Sequence, residues 1–348
     1  MSSNYLRAVR FERPDYIPMA FSINAACYHH YDQDFLFDMQ ESHPLLFPGF
    51  VRPKGHYVPE YSLVARRDEP YTDDFGCLWK TADDGITGTV VGHPLKNWDA
   101  YRDYQFPDPE RCMGIGPIDW AQEETRIAKE KADGHFITRG LRHGHTFLQL
   151  CDLRGYDNLL FDMADEHPML GDLIEKLEAF NAHIITRYAD LGADMLSYPE
   201  DLGMQRGPML SPSTFRTWIQ PSYRRLMAIA RDRGLAVHMH SDGDIRDLAD
   251  DLIEGGVEVL NLQDLVNGID WIRDKYKGRT CIDLDIDRQQ VTVFGTPQQV
   301  DDLIRYEVTE LGAREGGLTM IFGLYPGTPP DNVKALMDAM EKYAYHFS

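Results

Sequence analysis

The stretch GLAVHMHSDGDIRDLADDLIEGGVEVLNLQ, residues 234–263, holds one complete structural unit. After Gly234 a mostly apolar run carrying His238 and His240 ends in the polar turn Ser241-Asp242-Gly243. An amphipathic segment starting near Asp244 follows, Gly255 and Gly256 close it, and a second apolar run leads to Gln263. Short apolar runs bounded by turn residues predict strands, and the left-handed turn that ends a helix costs glycine least. The stretch therefore predicts strand, helix, strand.

The same order recurs on both sides of it. Gly192 precedes Ala-Asp-Met-Leu-Ser-Tyr and then Glu200, Gly278 precedes Arg-Thr-Cys-Ile-Asp-Leu and then Asp285, and Gly317 precedes Leu-Thr-Met-Ile-Phe. Thr296, Pro297 and Gln299 form a capping box with proline at the first helical position, which predicts a helix to about Leu311. Ser211, Pro212 and Ser213 open another helix to Arg233, with Pro221 inside it to kink or split it. Pro329, Pro330 and Asp331 open a last helix to about Tyr345, and 173–191 and 120–131 have helical apolar spacing. Upstream, 16–21 and 136–138 are read as strands. Residues 40–112, rich in Pro, Gly, Asp and aromatics, are read as insertions and short hairpins over one end of the fold.

About seven strand candidates joined by helical crossovers require a parallel sheet covered on both faces. The expected fold is α/β, a closed (β/α)8 TIM barrel with N-terminal insertions over the barrel mouth, and the alternative is a doubly wound open sheet. With no repeat, low-complexity run or linker, residues 1–348 are expected to form a single domain.

The chain has 56 acidic against 35 basic residues, a formal charge of -21. Such an excess of carboxylates argues against nucleic-acid binding over a broad surface and against docking on an anionic membrane. The opening MSSNYLRAVRFERPD is charged where a signal peptide needs roughly 7–15 apolar residues, and no run approaches the ~18 of a membrane span. Cys27, Cys77, Cys112, Cys151 and Cys281 are widely spaced and form no CxxC pair. These features predict a soluble, cytoplasmic protein with reduced thiols and no cysteine-based zinc knuckle.

In a barrel, residues at the C-terminal ends of the strands converge on one face. There the sequence places Ser22 and Asn24, then Arg139, Arg142, His143 and His145, then Glu200 and Asp201. His240 and Asp242, Asn261 and Gln263, and Asp285 and Asp287 complete the set. His238 and His240 lie two apart on a strand and share a side. His240 with Asp242 has the chemistry of zinc ligands or of an acid and base pair, whereas His238 is read as a core histidine. Of the adjacent carboxylates, Glu200 is expected in the cavity and Asp201 on the loop or a cap. The segment RGLRHGHTF, 139–147, is a cationic island suited to a substrate carboxylate, phenolate or phosphate, or else a salt-bridged loop. Asn24, Gln263 and Asp285 join it as expected substrate contacts. Walker, HExxH, GxSxG and strand-linked GxGxxG motifs are absent.

Several segments resemble the uroporphyrinogen decarboxylase superfamily. They are LRGYDNLLFDMADEHP at 153–168, GADMLSYPEDLGMQRGPMLSPSTFR at 192–216, HSDGDIRDLADDLIEGGVEVLNLQ at 240–263, FGTPQQV at 294–300 and TPPDNVKAL at 328–336. The resemblance implies a (β/α)8 barrel and one of two chemistries. Porphyrinogen decarboxylases carry an arginine-rich RQAGR-type motif near the N-terminus, which the corresponding RPDYIPMAFSINAACYHHY at 13–31 lacks. The segments DDFGCLWKT at 73–81 and HPLKNWDAYRDYQFPDP at 93–109 are similar to the other branch, the cobalamin-dependent methyltransferases that include O-demethylases. Zinc-binding members of that branch carry an HxC motif and a later cysteine. Here His240 matches the histidine, Asp242 replaces the cysteine, and IFGLYPGTPP at 321–330 supplies no second one.

The resemblance thus implies methyl transfer from a small methoxylated aromatic to a corrinoid carried by a separate protein, since no DxHxxG motif is present. The expected catalytic set is His240, Asp242 and Glu200, the same three residues being the expected zinc ligands. The alternatives are a lyase decarboxylating a small or porphyrin-like acid, held by Arg139 or Arg142, and a noncatalytic ligand-binding barrel. The aromatic-rich stretch 20–60 is read as a homodimer surface or as a lid.

Overall fold

A computed structural model describes residues 3–348. Among them, seven strands follow the predicted alternation with helices: β1 (Met19–Ile23), β2 (Thr138–Gly140), β3 (Met195–Pro199), β4 (Ala236–Ser241), β5 (Val259–Gln263), β6 (Cys281–Asp285) and β7 (Leu318–Leu324). The helices that matter below are α1 (Trp120–Ala132), α2 (Phe147–Arg154), α3 (Leu170–Asp190), α4 (Gln220–Arg231), α5 (Ala249–Gly255), α6 (Pro297–Leu311) and α7 (Pro330–Ala344).

The chain forms two compact units. The first comprises 1–67, 82–87 and 261–348, and the second comprises 68–81 and 88–260. In the first unit β1 and β6 both pair in parallel with β7, with Met19 opposite Met320 and Ile282 opposite Leu318. Helices α6 and α7 pack together there. Val333, Leu336, Met337 and Met340 on α7 follow the 3.6-residue period and are buried, each contributing about 1.5–3 kcal/mol of burial energy.

In the second unit β3 pairs in parallel with both β2 and β4, with Thr138 opposite Met195 and Leu196 opposite Val237. Leu173, Leu177, Phe180 and Ile184 line the buried face of α3, which packs on α4. The expected hairpins of the 40–112 region include an antiparallel sheet built from Tyr71–Thr72, Leu78–Lys80 and Thr89–Gly92.

Several boundaries differ from the sequence-based expectation, each for a local reason. β1 starts at Met19 rather than residue 16 because the Ile17 N–H donates to the Ala344 carbonyl at the end of α7, and Pro18 has no N–H to pair. β2 starts at Thr138 because the Asp194 carboxylate takes the Ile137 N–H, at 2.7 Å. The helix expected from Asp244 starts at Ala249. The Asp244 carboxylate instead accepts from the Arg246 N–H and guanidinium, making 242–248 a loop. Gly243 opens that loop at φ +81°, and a side chain there would collide with the Gly203 backbone.

The helix with Pro221 inside it divides as predicted. A first turn, Pro212–Thr214, passes through a π-helical segment, Phe215–Ile219, into α4, where Pro221 occupies the first turn and no N–H is needed. The capping box of Thr296 and Gln299 is present on α6. All five cysteines are buried and unbridged. No helix among the described residues is long and apolar enough to cross a membrane.

Candidate active site

Three strand ends of the second unit bring His143, Asp201 and His240 together. His240 is the fifth residue of β4, Asp201 lies two residues past β3, and His143 lies three past β2. Parallel pairing aligns these ends, with Pro199 opposite His240. The ligand atoms of the three residues lie within 4.8 Å of one another. His143 Nε2 is 3.2 Å and His240 Nε2 3.6 Å from Asp201 Oδ1, and the imidazole centroids are 5.8 Å apart. Asp201 Oδ1 also accepts the Asp242 N–H at 3.1 Å, which sets Asp242 Oδ1 3.7 Å from His240 Nε2.

The electrostatics follow from this packing. Burial disfavours charge on His143, but the hydrogen bond and charge of Asp201, with Glu200 and Asp242 nearby, outweigh it and raise the imidazole above its usual value. Burial likewise works to raise Asp201, yet His143 and the Asp242 N–H hold its carboxyl below the usual range.

The donor set suits zinc. Tetrahedral zinc with bonds of about 2.0–2.1 Å to nitrogen and oxygen sets neighbouring donor atoms about 3.3 Å apart. The separations of 3.2, 3.6 and 3.7 Å around His240 and Asp201 are of that size. Two imidazole nitrogens and one or two carboxylate oxygens would be the ligands of such an ion.

Glu200 corrects the expected set. Its side chain is fully buried and points at the N-terminus of α2, accepting the N–H groups of Thr146, Phe147 and Leu148 and the hydroxyl of Tyr223, at 2.7–3.1 Å. These are the orphan donors of a helix start, and a carboxylate there also faces the positive end of the helix dipole. Glu200 therefore caps α2, while Asp201, expected on the loop, stands between the histidines.

The cationic island divides in a similar way. Arg139 is an ion-pair residue, with Nη2 2.8 Å from Glu130 and Nε 3.5 Å from Glu123, both on α1. His145 is buried, with Nδ1 2.6 Å from Thr146 Oγ1, and burial lowers its pKa to about 4. It is neutral at pH 7 and cannot serve as a cationic substrate contact, which corrects that expectation. Arg142 Nη1 donates to the His143 carbonyl at 3.3 Å, and its Nη2 lies 3.9 Å from Asp152 Oδ2. His238, expected in the core, is half-buried, with Nδ1 3.1 Å from Ser197 Oγ.

Asn24, Gln263 and Asp285 belong to the first unit. Asn24 Oδ1 accepts the Ala26 N–H in a local turn. The Gln263 carbonyl accepts from Asn267 Nδ2, and buried Asp285 pairs with Arg288 at 2.8 Å. Arg288 was not singled out by the sequence, although its spacing of three from Asp285 is the available signal.

Comparison with known proteins now bears on this arrangement. The sequence profile of the uroporphyrinogen decarboxylase (URO-D) family matches residues 72–343. The chain belongs to the uroporphyrinogen decarboxylase family. A uroporphyrinogen decarboxylase of Thermus thermophilus is 28% identical over 188 residues, 52% of this chain and 51% of that protein. The human enzyme is 24% identical over 161 residues, 44% of this chain and 41% of its own length. The chain thus spans about half the length of the curated relatives it matches.

A methyltransferase from Methanosarcina mazei superposes with a TM-score of 0.65 over 98% of both chains, at 15% identity. That likeness shows the fold, and the class is the one expected, an α/β protein of the (β/α)8 TIM-barrel type.

Proposed function

We propose that this family member is a methyltransferase that moves a methyl group from a small methoxylated aromatic to a Co(I) corrinoid on a separate protein, using zinc held by His143, Asp201 and His240. The observation that carries the reading is the grouping of these three side chains, with their ligand atoms within 4.8 Å of one another and Asp201 Oδ1 3.2 and 3.6 Å from the two imidazoles. The absence of an arginine-rich motif at 13–31 supports it over porphyrinogen decarboxylation.

Cleaving an aryl methyl ether leaves a phenolate, a poor leaving group. Zinc in this site would supply a Lewis acid that withdraws charge from that oxygen. The chain's own contribution is orientation. Asp201 Oδ1 fixes the backbone of Asp242, and Asp242 lies close enough to His240 to orient its ring or act as a further oxygen donor. Glu200 acts one layer further out, holding α2 and with it the 143–146 segment in place.

The test is zinc content of protein purified without chelator or tag-derived nickel, together with methyl transfer to a Co(I) corrinoid followed by its visible spectrum. We expect about one zinc per chain in the native protein and in Glu200→Gln, and loss of both zinc and methyl transfer in His240→Ala and Asp201→Ala. Zinc retained by those two variants would remove the site. Carbon dioxide release from a small acid without any corrinoid would replace methyl transfer by a lyase.

A further inference from the structure

The strands β3 and β4 stay coupled beyond their ends, in the two loops that carry Asp201 and Asp242. The Glu200 N–H donates to the His240 carbonyl at 3.0 Å, one step past the last pair of the ladder, Pro199 opposite His240. Two residues on, the Leu202 N–H donates to the Ser241 hydroxyl at 2.9 Å, and that hydroxyl donates in turn to the Asp242 carbonyl at 3.0 Å. After two more residues the Asp244 N–H donates to the Met204 carbonyl at 2.7 Å. Asp201 therefore sits between two residues whose N–H groups are pinned to β4.

Glycine on both sides closes the crossing. A Cβ on Gly203 would stand 2.6 Å from the Gly243 carbonyl carbon and 2.7 Å from both the Asp242 carbonyl oxygen and the Asp244 nitrogen. Gly243 adopts φ +81°, and its own Cβ would run into the Gly203 backbone. The two backbones touch because neither residue has a side chain.

Ser241 is the polar member of this contact. Alternation along β4 turns it away from the side that holds His238 and His240, and it is fully buried. Its hydroxyl accepts one hydrogen bond and donates another, joining the residue after Asp201 to the carbonyl of Asp242. Removing that oxygen would leave the buried Leu202 N–H without its acceptor and free the two loops to slide on each other.

We propose that Ser241 and the Gly203–Gly243 crossing form a clamp that positions Asp201 and Asp242 beside His240 for metal binding. The inference rests on the zinc reading of that site, whereas the clamp itself is a property of the metal-free chain. It sets the 3.6 and 3.7 Å that separate His240 Nε2 from the two carboxylates. Donor atoms already held at that spacing lose less freedom when an ion binds, so metal affinity depends on a hydroxyl on the far side of the strand.

The experiment compares the native protein with Ser241→Ala, Gly203→Ala and Thr319→Val, with circular dichroism to verify folding. Zinc affinity is read by competition with a chromophoric chelator, coordination geometry by the visible spectrum of the cobalt(II) form, and the clamp by amide hydrogen exchange of the metal-free protein. Thr319→Val removes a buried hydroxyl bond in the first unit, to Asp283 at 2.6 Å, and controls for a general loss of stability. Ser241→Ala decides the matter if Gly203→Ala does not fold.

We expect Ser241→Ala to weaken zinc binding by about 10- to 100-fold and to change the cobalt spectrum, and Thr319→Val to do neither. In metal-free Ser241→Ala the Leu202, Asp242 and Asp244 amides should exchange at least about tenfold faster than in the native chain. Native zinc affinity and cobalt spectrum in Ser241→Ala, an equal loss in Thr319→Val, or unchanged exchange at those amides would overturn the clamp and leave the zinc site standing. Faster exchange in Ser241→Ala, with neither zinc nor cobalt bound by the native protein, would keep the clamp and overturn the zinc reading.

Discussion

His145 shows what burial does to one side chain. Its ring is enclosed among Tyr198, Tyr223 and Glu200, and burial lowers its pKa from 6.5 to about 4. In the unfolded chain it binds a proton near its ordinary value. Between pH 6.5 and about 4 the unfolded state therefore holds more protons, and stability drops as the pH falls. The full effect is about 3 kcal/mol at most, from 1.36 kcal/mol per unit. Thermal unfolding from pH 7 to 4 should fall less steeply for His145→Asn than for the native protein, and parallel curves would refute the assignment. The Glu200 and Asp201 pair carries the lesson about legibility at this scale. Adjacent residues leave a strand end in opposite directions, so the sequence predicted that only one would enter the site. It chose Glu200, and the structure puts Asp201 there instead, because the three N–H donors that claim Glu200 belong to residues 52–54 positions away.

At the scale of elements, α6 is held by an unusual contact. Glu307 on its inner face is fully buried, and neither oxygen meets an N–H or hydroxyl donor. Its neighbour is Asp264 at the end of β5, whose own oxygens accept from the Leu265 and Asp287 N–H groups. Burial raises both carboxyls, and the nearby Asp264 and Asp287 charges raise Glu307 further. Two buried carboxyls in contact hold one proton between them. The raised folded value means that this contribution is complete below the unfolded value of 4.5 and is lost as pH rises toward the folded one. Glu307→Gln, with an amide that donates at any pH, should match the native melting temperature near pH 5 and exceed it at pH 9. Identical pH profiles would show that no proton is shared. The helix itself was legible from Thr296, Pro297 and Gln299, since a capping box is a local signal. The start of α5 was not, because Asp244 pairs with Arg246 in a loop shaped by Gly203.

For the whole molecule, a formal charge of -21 sets the long-range field. Fluorescence anisotropy with a labelled DNA duplex at about 150 mM salt should give no binding below ~10⁻⁴ M, the weak end of nonspecific affinities. Micromolar affinity would require a basic face that the charge count conceals. Composition, the glycine-punctuated alternation and the capping signals by themselves determined the α/β barrel class, because each depends on neighbours within about one turn or strand. They also determined that His240 and Asp242 lie at a strand end. Only the tertiary structure decided that Asp201 and His143 join His240, that Glu200 caps a helix, and that Arg142 faces Asp152. The physical reason is that these are contacts between strand ends and helices distant in sequence, set by register and burial, about which the local pattern of residues carries no information.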